Sequence, residues 1–464
     1  MSNVFSELIS VYSTWPALKS YLSSPEGGNL RIDDRSTPEN PFALLRYVKG
    51  SSNLSLPHVR AFRSVVWDTL EHRPVSVTPF KSADGEVLPV EGLPTDYVLE
   101  YFPDGTLIGM WFDKYNSKWR IHTRSTIDAN CCYYNNSSSF ATMFATAAAN
   151  YNMDLNRDNC YSVVLMHPDN RIVVPVKAPE LRWVQSVSVA ANGTLMWWPL
   201  GTTPNPVAAI TGAATWTDVL IRLNDWNKRF GFSIQGIHIK GPNGQRWKIR
   251  TTEYNRIRAL RGNTARRDYL WLSAWRGGNL AQYLKVYPEE RTAANRIIDT
   301  WKRITGDVYH TYVDVFKARS LPKTAIPPKL RSLIYGIHNK FMTELKPQGK
   351  SVDWHATMEF MNSRDVPLML FVLNWESRNA MIQLGIQQIP LEPPSSMTTT
   401  VVVERVEAHD DAPVVERVEA TVPVVEGGVL QQLRAVERVD AEVPAPVAAL
   451  PPPGPMLTRA LSMY

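Results

Sequence analysis

The chain has 464 residues, of which 44% are hydrophobic and 20% charged, a length typical of about two or three domains. No apolar run reaches the ~18 residues that a membrane-spanning helix needs, and the N-terminus lacks the basic region and apolar core of a secretory signal. The three cysteines are too few and too irregularly spaced for a disulfide framework or a zinc site. We therefore expect a soluble intracellular protein in a reducing compartment, without a membrane partner.

The net charge of +6 conceals two oppositely charged parts. The stretch from Leu391 to the end carries eleven acidic and five basic residues, whereas the rest of the chain carries 45 basic and 33 acidic residues. A basic body favours an anionic partner such as nucleic acid. The acidic stretch is expected to compete for the same surface and so to weaken non-specific RNA binding.

Residues 1–45 are predicted to be a helical N-terminal segment, and residues 46–265 a mixed, strand-rich domain. In the second region, apolar runs rich in β-branched and aromatic residues alternate with turn residues. Six runs are predicted strands: SVVWDTL, YVLEYF, TLIGMWFD, KWRIHTR, SVVLMH and RIVVPV. Helices are predicted at Phe140–Met153 and at 215–231, where Gly231 is the stop signal. The sequence SIQGIHIKGPNGQRWKIRT predicts a hairpin around Gly-Pro-Asn-Gly.

Helical spacing then dominates, so residues 266–390 are predicted to be an all-helical domain. Beyond it, VVERVEA occurs at Val402–Ala408 and again at Val414–Ala420, with proline between the copies. Repeats so short and so interrupted cannot build a core. Residues 391–464 are therefore predicted to be a disordered, acidic, Pro-rich tail that is available to a protein partner.

Six short motifs follow one another in the strand-rich region: RAFRSVVWD, TPFKSADG, EYFPDGTLI, HTRST, CYSVVLMHPDNRIVV and IQGIHIKGPNGQRWKIRTTEYNRIRALRGN. In this order they resemble the adenylylation domain of the bacteriophage T4-type RNA ligase family, and most closely the divergent RNA ligase-like proteins of large DNA viruses. The resemblance implies an α+β fold: a nucleotidyltransferase domain of antiparallel sheets with flanking helices, then the helical domain and the disordered tail. It also implies ATP and Mg²⁺ as cofactors, RNA ends as substrate, and the cytoplasm of an infected host cell as location.

Three positions depart from the pattern of that family. The family forms a lysyl–nucleotide intermediate, but Phe102 stands at the position of the nucleophilic lysine. Val164 and Gln235 stand where the family has glutamates. Lys81 is the best candidate for a displaced nucleophile, although the resemblance assigns it a phosphate contact. Lys240 is a weaker candidate, because a lysine at a strand end is usually solvated.

The resemblance implies that a set of mostly cationic residues binds the nucleotide and its phosphates: Arg63, Asp104, Gly105, Arg124, Arg171, Lys248 and Arg250. A cationic ring without carboxylates attracts triphosphates and RNA 5′ ends but holds Mg²⁺ poorly. Two functions stay open, namely ATP-dependent RNA end joining with a displaced lysine, and a catalytically inactive pseudo-ligase that binds RNA and nucleotide. A virion or scaffold protein is a third interpretation, suggested only by the acidic repeats.

The stretch from Lys240 to Arg276 has ten basic and two acidic residues, with five tyrosines and tryptophans interleaved. Phosphate neutralisation combined with stacking is how single-stranded nucleic acid is bound. The predicted RNA contacts are Arg256, Arg258, Arg261, Arg266 and Arg267. The alternative is a solvated helix with one apolar face. The histidines His122, His167 and His238 show no metal spacing and are interpreted as packing or surface residues.

Overall fold

The structure, a computed structural model, describes residues 3–134, 138–262, 264–383, 398–405 and 416–423. Contacts divide the chain into two compact units. One unit is Met1–Ile386 with Val406–Glu416, and the other is Gln387–Arg405 with Arg417–Tyr464. The described part of the first unit mixes helices with antiparallel sheets.

The strands of the first unit build three antiparallel sheets. They are β1 (Arg31–Asp34), β2 (Phe42–Arg46), β3 (Val65–Asp68), β4 (Arg73–Val77), β5 (Val98–Tyr101), β6 (Thr106–Asp113), β7 (Lys118–His122), β8 (Asn159–Met166), β9 (Glu180–Val189), β10 (Leu195–Trp198), β11 (Gly236–Lys240) and β12 (Arg246–Arg250). The first sheet has the order β1-β2-β3-β4, the second β10-β9-β8-β6-β7, and the third β12-β11-β5. Strand β5 pairs with β11, which lies about 135 positions further along the chain. The third sheet therefore forms only when these distant parts of the chain fold together.

The helices cover the sheets and then fill the C-terminal half of the first unit. They are α1 (Val4–Val11), α2 (Trp15–Ser23), α3 (Phe140–Ala148), α4 (Trp216–Phe230), α5 (Thr252–Arg261), α6 (Arg267–Arg276), α7 (Leu280–Val286), α8 (Arg291–Tyr312), α9 (Arg331–Lys340), α10 (Trp354–Asn362), α11 (Val366–Leu373) and α12 (Trp375–Gln383). Wider π-helical turns follow α8 and α9, at Val313–Lys317 and Phe341–Leu345. No described helix is long and apolar enough to cross a bilayer.

Several apolar cores hold the helices and sheets together. Helices α1 and α2 pack Phe5 and Leu18 against the first sheet around Trp67, so the N-terminal segment shares the core of that sheet. Helix α3 packs against the second sheet around Trp183. Helices α6 and α8 to α11 bury a separate core around Trp301. They lie in the same compact unit as the sheets, and the predicted boundary between residues 265 and 266 stays a prediction.

Helix α4 begins and ends where the sequence predicts. The Thr215 hydroxyl and the Asp218 carboxylate form a reciprocal cap at its start. The helix ends at Gly231, whose φ of 54° is a conformation that favours glycine. The buried side of α4 packs Val219 on the apolar face of the third sheet, next to Ile237 and Ile239, which leaves the opposite face of that sheet for polar side chains.

Five of the six predicted strands are confirmed, and RIVVPV is wrong. Residues 171–176 form a loop, because the N–H groups of Val173 and Val174 donate to the Asp104 carboxylate at 2.9 and 2.8 Å and Pro175 has no N–H to donate. The predicted hairpin is confirmed as β11 and β12. The helical opening is correct for α1 and α2 but not for β1 and β2, whose strands the sequence interpretation missed, along with β9 and β10.

Two further strands lie in the C-terminal stretch, β13 (Thr398–Arg405) and β14 (Glu416–Pro423). They form a two-stranded sheet. Both overlap the VVERVEA copies within the tail that was predicted to be disordered, because alternating valines and charged residues suit a strand. The remainder of that prediction lies outside the described residues.

Candidate functional site

The polar face of the third sheet carries most of the candidate site. In the register of the sheet, Glu100 lies opposite His238 and His238 opposite Lys248, while Lys240 lies opposite Arg246. Side chains alternate between the two faces of a strand, so the sequence RWKIR places Trp247 and Ile249 on one face and its three cations on the other. Residues from three strands therefore meet in one polar layer.

His238 lies at the centre of a group that we call the cation cluster, which consists of Arg63, Lys240, Arg246 and Lys248. Burial, followed by the positive charges of these four residues, holds the pKa of His238 well below its ordinary value of 6.5. The imidazole is 4% exposed and is therefore uncharged at neutral pH. His238 therefore adds no positive charge to the four cations around it.

Glu100 is the carboxylate of this layer. Its Oε1 accepts a hydrogen bond from Lys240 Nζ at 2.7 Å, and the same ammonium donates to Val184 O on β9 at 2.6 Å. Burial raises the pKa of Glu100, and the nearby Lys240 opposes that rise. Lys240 therefore links the third sheet to the second and neutralises the negative charge of Glu100.

The other cations of the cluster are buried to different degrees. Arg63 is half-buried, and within the described chain its guanidinium makes no hydrogen bond or ion pair. Arg246 lies 3.4 Å from Phe80 O and 3.5 Å from His238 Nδ1, and Lys248 is only 2% exposed. A half-buried charge without an internal partner is stabilised by an anion that pairs with it, so Arg63 favours binding of an anion.

Lys81, the predicted displaced nucleophile, lines a cavity of about 900 Å³ together with Arg246, Arg60, Phe80 and Trp247. Its side chain is 1% exposed and forms an ion pair with Asp84. Burial raises the pKa of Asp84, but the hydrogen bond and charge of Lys81 outweigh burial and hold that pKa below its ordinary value. Lys81 is thus close to the cation cluster, but as the partner of a carboxylate.

The Phe102 position, where the resemblance implies a lysine, is packed between two members of the site. The Phe102 ring lies 5.5 Å from the His238 ring, and the Arg250 guanidinium lies 5.3 Å from the centre of the Phe102 ring. Arg250 also pairs with Glu86 at 3.0 Å, and the Gln235 amide bridges Pro103 O and Arg250 Nε at 3.0 and 3.1 Å.

The other departure, Val164, lies in an apolar cluster with Val184 and Val207. A carboxylate there would have no polar surroundings to stabilise it. The local packing therefore suits valine at this position, where the resemblance implies a glutamate.

Asp104 fixes the 171–176 loop, and Gly105 allows the chain to approach β8 closely. The Asp104 carboxylate accepts the two N–H groups of the 171–176 loop and the Tyr254 hydroxyl, the last at 2.7 Å. A Cβ on Gly105 would lie 2.4 Å from Leu165 O, so only glycine allows this close approach. Their predicted nucleotide contacts stay predictions, and Asp104 already accepts three internal hydrogen bonds.

Arg124 and Arg171 each contact an aromatic ring and a polar partner of their own. The Arg124 guanidinium donates to Tyr47 O at 3.0 Å and lies 4.8 Å from the centre of the Tyr47 ring. Arg171 pairs with Glu289 at 2.8 Å and lies 4.5 Å from the centre of the Tyr287 ring. Arg171 is 8% exposed and connects the loop after β8 to the helices, a structural role that the sequence interpretation missed.

The predicted RNA-binding stretch is largely neutralised by local carboxylates. Arg261 is 3% exposed, pairs with Glu290 at 3.2 Å, and donates to the hydroxyls of Tyr134 and Tyr283. An RNA contact of Arg261 is therefore incompatible with the folded chain, because the helix turns this residue inward.

Other arginines of that stretch are paired as well. Arg256 pairs with Glu253 at 2.8 Å, and Arg266 with Asp268 at 2.9 Å. Arg267 donates to Asp169 O at 3.2 Å. Phosphates would have to compete with these partners, which weakens the case for a continuous RNA-binding surface on α5 and α6.

The sequence interpretation missed His238, Arg246 and Glu100 as members of a site, and it weighed Lys240 only as a weak nucleophile candidate. The signal that could have found them is the period of two in β5, β11 and β12, which predicts one charged face once the three strands are known to pair. The pairing of β5 with β11 was the missing information.

The residues of the site do not suit a protein-held Mg²⁺. Within the described chain, three His, Cys, Asp or Glu residues nowhere gather as they would around a metal ion. Glu100 is held by Lys240 and Glu86 by Arg250. Mg²⁺ needs several oxygen ligands, and the described residues around the cluster do not supply such a set.

No protein-family model matches the chain, and no curated protein matches it either. Among solved structures, two of an archaeal ATP-dependent RNA ligase, form 1 and form 2, are similar at 12% and 10% identity, with TM-scores of 0.37 and 0.35. They match over 88% and 86% of this chain and 93% and 85% of their own. A putative ATP-dependent DNA ligase from Aquifex aeolicus is similar at 11% identity, over 86% of this chain and 93% of its own, with a TM-score of 0.33. These likenesses are too distant to establish a shared fold.

Proposed function

We propose that the chain is an RNA ligase-like protein whose cation cluster binds the triphosphate of ATP, or the 5′-phosphate of an RNA end. The observation that carries the proposal is the Arg63 guanidinium, one of the four positive charges that act on His238. Arg63 makes no hydrogen bond within the described chain, and His238 is held uncharged by burial and by its cationic neighbours. An anion with several oxygens satisfies such a cluster better than a single carboxylate does.

The cavity next to the cluster accommodates the rest of the ligand. Arg246 belongs to both the cluster and the cavity, which also contains Phe80 and Trp247. Aromatic faces of this kind stack on nucleobases, and such stacking tolerates any base. A nucleotide with its phosphates at Arg246 and its base towards Trp247 therefore agrees with both the charge and the apolar lining.

Of the two functions that the sequence left open, binding is the better supported. A lysine attacks phosphorus with the lone pair of a neutral amine, whereas Lys81 forms an ion pair with Asp84. The carboxylates near the cluster, Glu100 and Glu86, are themselves paired with Lys240 and Arg250. ATP-dependent RNA end joining with Lys81 as the nucleophile is the second candidate, favoured by the position of Lys81 in the cavity.

The test is equilibrium binding of ATP, GTP and a 5′-phosphorylated RNA oligonucleotide to the full chain, each compared with its unphosphorylated counterpart. We expect the triphosphates and the 5′-phosphorylated RNA to bind more tightly, and the affinity to fall as salt is added, because phosphate contacts release counterions. Equal binding of adenosine and ATP would refute the proposal.

Turnover is tested with ATP labelled at the α-phosphate, followed by denaturing electrophoresis. Tight binding with no covalent label supports the pseudo-ligase. A covalent label that Lys81→Ala abolishes supports end joining with a displaced lysine, provided that the variant still binds ATP.

A further inference from the structure

We propose that a second pocket, between helix α4 and strand β5, binds a base of single-stranded RNA. The inference rests on the proposed function only in taking RNA as the partner. It goes beyond that function, because a base bound in this pocket needs no phosphate at the end of the RNA. We call it the α4 pocket, and its lining includes Tyr101, Arg222, Asp225, Trp226, Arg229 and Phe230.

The α4 pocket and the cation cluster lie on opposite faces of the third sheet. Leu99 of β5 packs in the apolar core beneath α4. Side chains alternate between the two faces of a strand, so Tyr101 lies on the same face as Leu99, whereas Glu100 lies on the polar face, opposite His238. A ligand in the α4 pocket therefore does not compete with an anion in the cation cluster.

Three aromatic rings line the α4 pocket, whose volume of about 440 Å³ lies in the range of small-molecule sites. Tyr101 and Trp226 stack in parallel, with ring centres 4.7 Å apart and planes inclined by 12°. Tyr101 is nevertheless 40% exposed, and Phe230 is 52% exposed. Bases of a single strand stack on exposed rings of this kind whatever their sequence. Because Tyr101 and Trp226 are already ordered by their own stack, binding a base costs little side-chain entropy.

Two guanidinium groups lie on either side of Trp226 along α4. Arg222 and Arg229 are separated by seven helical positions, or about 10 Å along the axis. Arg229 makes no hydrogen bond or ion pair within the described chain. Arg222 donates to Thr211 O at 2.6 Å, which leaves most of its five N–H donors for other partners. Both groups are therefore available to the phosphates that flank a stacked base.

Two carboxylates also line the pocket, and within the described chain neither forms an ion pair with these arginines. Asp218 accepts two backbone N–H groups at the start of α4, at 3.1 and 2.8 Å. Asp225 has no ion pair or hydrogen bond of its side chain to another described residue. Bases carry N–H donors on their pairing edges, so Asp225 supplies an acceptor for a base that stacks on Tyr101.

These features favour RNA over a protein as the occupant of the α4 pocket. A protein partner would have to desolvate the guanidinium groups and supply carboxylates for both. A single strand brings a planar base together with its phosphates, and so satisfies the rings and the charges at once. The pocket also differs from the predicted RNA-binding stretch, where Arg256 and Arg266 are already paired with carboxylates.

The experiment measures, by fluorescence anisotropy, binding of the full chain to a single-stranded RNA of about ten nucleotides with a 5′-hydroxyl end. Tyr101→Leu should bind this RNA about fivefold to a hundredfold more weakly, because a stacked base is lost. Arg229→Met should weaken binding and reduce its salt dependence, because a phosphate contact is lost. Both variants should keep the ATP affinity of the wild type, and a cooperative thermal unfolding transition shows that they fold.

The matched control is Tyr269→Leu on α6, in the predicted RNA-binding stretch, where the residue is 39% exposed. We expect this variant to bind the RNA like the wild type. An equal loss in Tyr269→Leu, or unchanged affinity in both Tyr101→Leu and Arg229→Met, overturns the inference, as does a wild-type chain that binds no 5′-hydroxyl RNA. Self-association that Tyr101→Leu abolishes, with RNA affinity unchanged, also overturns it and assigns the pocket to a protein contact. Equal binding of adenosine and ATP would overturn the proposed function alone.

Discussion

Replacing Arg63 by methionine tests the cation cluster most directly, because this guanidinium makes no hydrogen bond or ion pair within the described chain. Methionine keeps an apolar stem of similar length, so little packing is lost. A hydrogen bond to a charged group contributes about 1.5–3 kcal/mol. The variant should therefore bind ATP about tenfold to a hundredfold more weakly.

The same substitution should leave the free protein as stable as before, or more stable, because one of four like charges is removed. It should also raise the pKa of His238, because the charge of Arg63 is one of the causes that lower it. ATP affinity is measured by titration calorimetry, thermal stability by scanning calorimetry, and the pKa of His238 by NMR titration.

The matched control is Arg303→Met on α8, where the side chain is exposed and bonds Thr300 at 3.1 Å. We expect this variant to bind ATP like the wild type. Unchanged ATP affinity in Arg63→Met, or an equal loss of affinity in Arg303→Met, would refute the reasoning. In either case the positive charge of the cation cluster would not determine ATP affinity.

Three further predictions concern stability and the tail. Burial lowers the pKa of His122 from 6.5 to about 4, so between these pH values the unfolded state binds a proton that the folded state does not, and the folded state loses stability as the pH is lowered. Urea unfolding should show that the free energy of unfolding decreases by about 2 kcal/mol from about pH 7.5 to pH 5. The decrease should be smaller in His122→Gln. Glu290→Gln leaves Arg261 buried without its carboxylate and should cost about 3–5 kcal/mol, whereas Glu359→Gln, in an exposed pair, should cost less than about 1 kcal/mol; similar losses in both would contradict this account. Deletion of 391–464 should strengthen non-specific RNA binding and steepen its salt dependence in filter-binding assays, and unchanged binding would show that the acidic stretch does not compete.

Local patterns determined much of the secondary structure. The period of two in RWKIR, the turn at Gly-Pro-Asn-Gly and the cap of α4 depend on residues close in the chain, and the structure confirms the hairpin and the helix. The division into a basic body and an acidic C-terminal stretch is likewise a property of composition alone. Such features can be predicted from the sequence because the interactions that produce them involve residues only a few positions apart.

Tertiary structure decided which charges act together. Arg63, which precedes β3, and Lys248 of β12 both act on His238 although they are far apart in the chain, and Glu100 joins His238 because β5 pairs with β11. Arg261 turns inward because Glu290, 29 positions further along the chain, lies within reach of its guanidinium. A local sequence pattern can reveal that a residue is charged and which face of its element it occupies, but the energy of a buried charge depends on its partners in space.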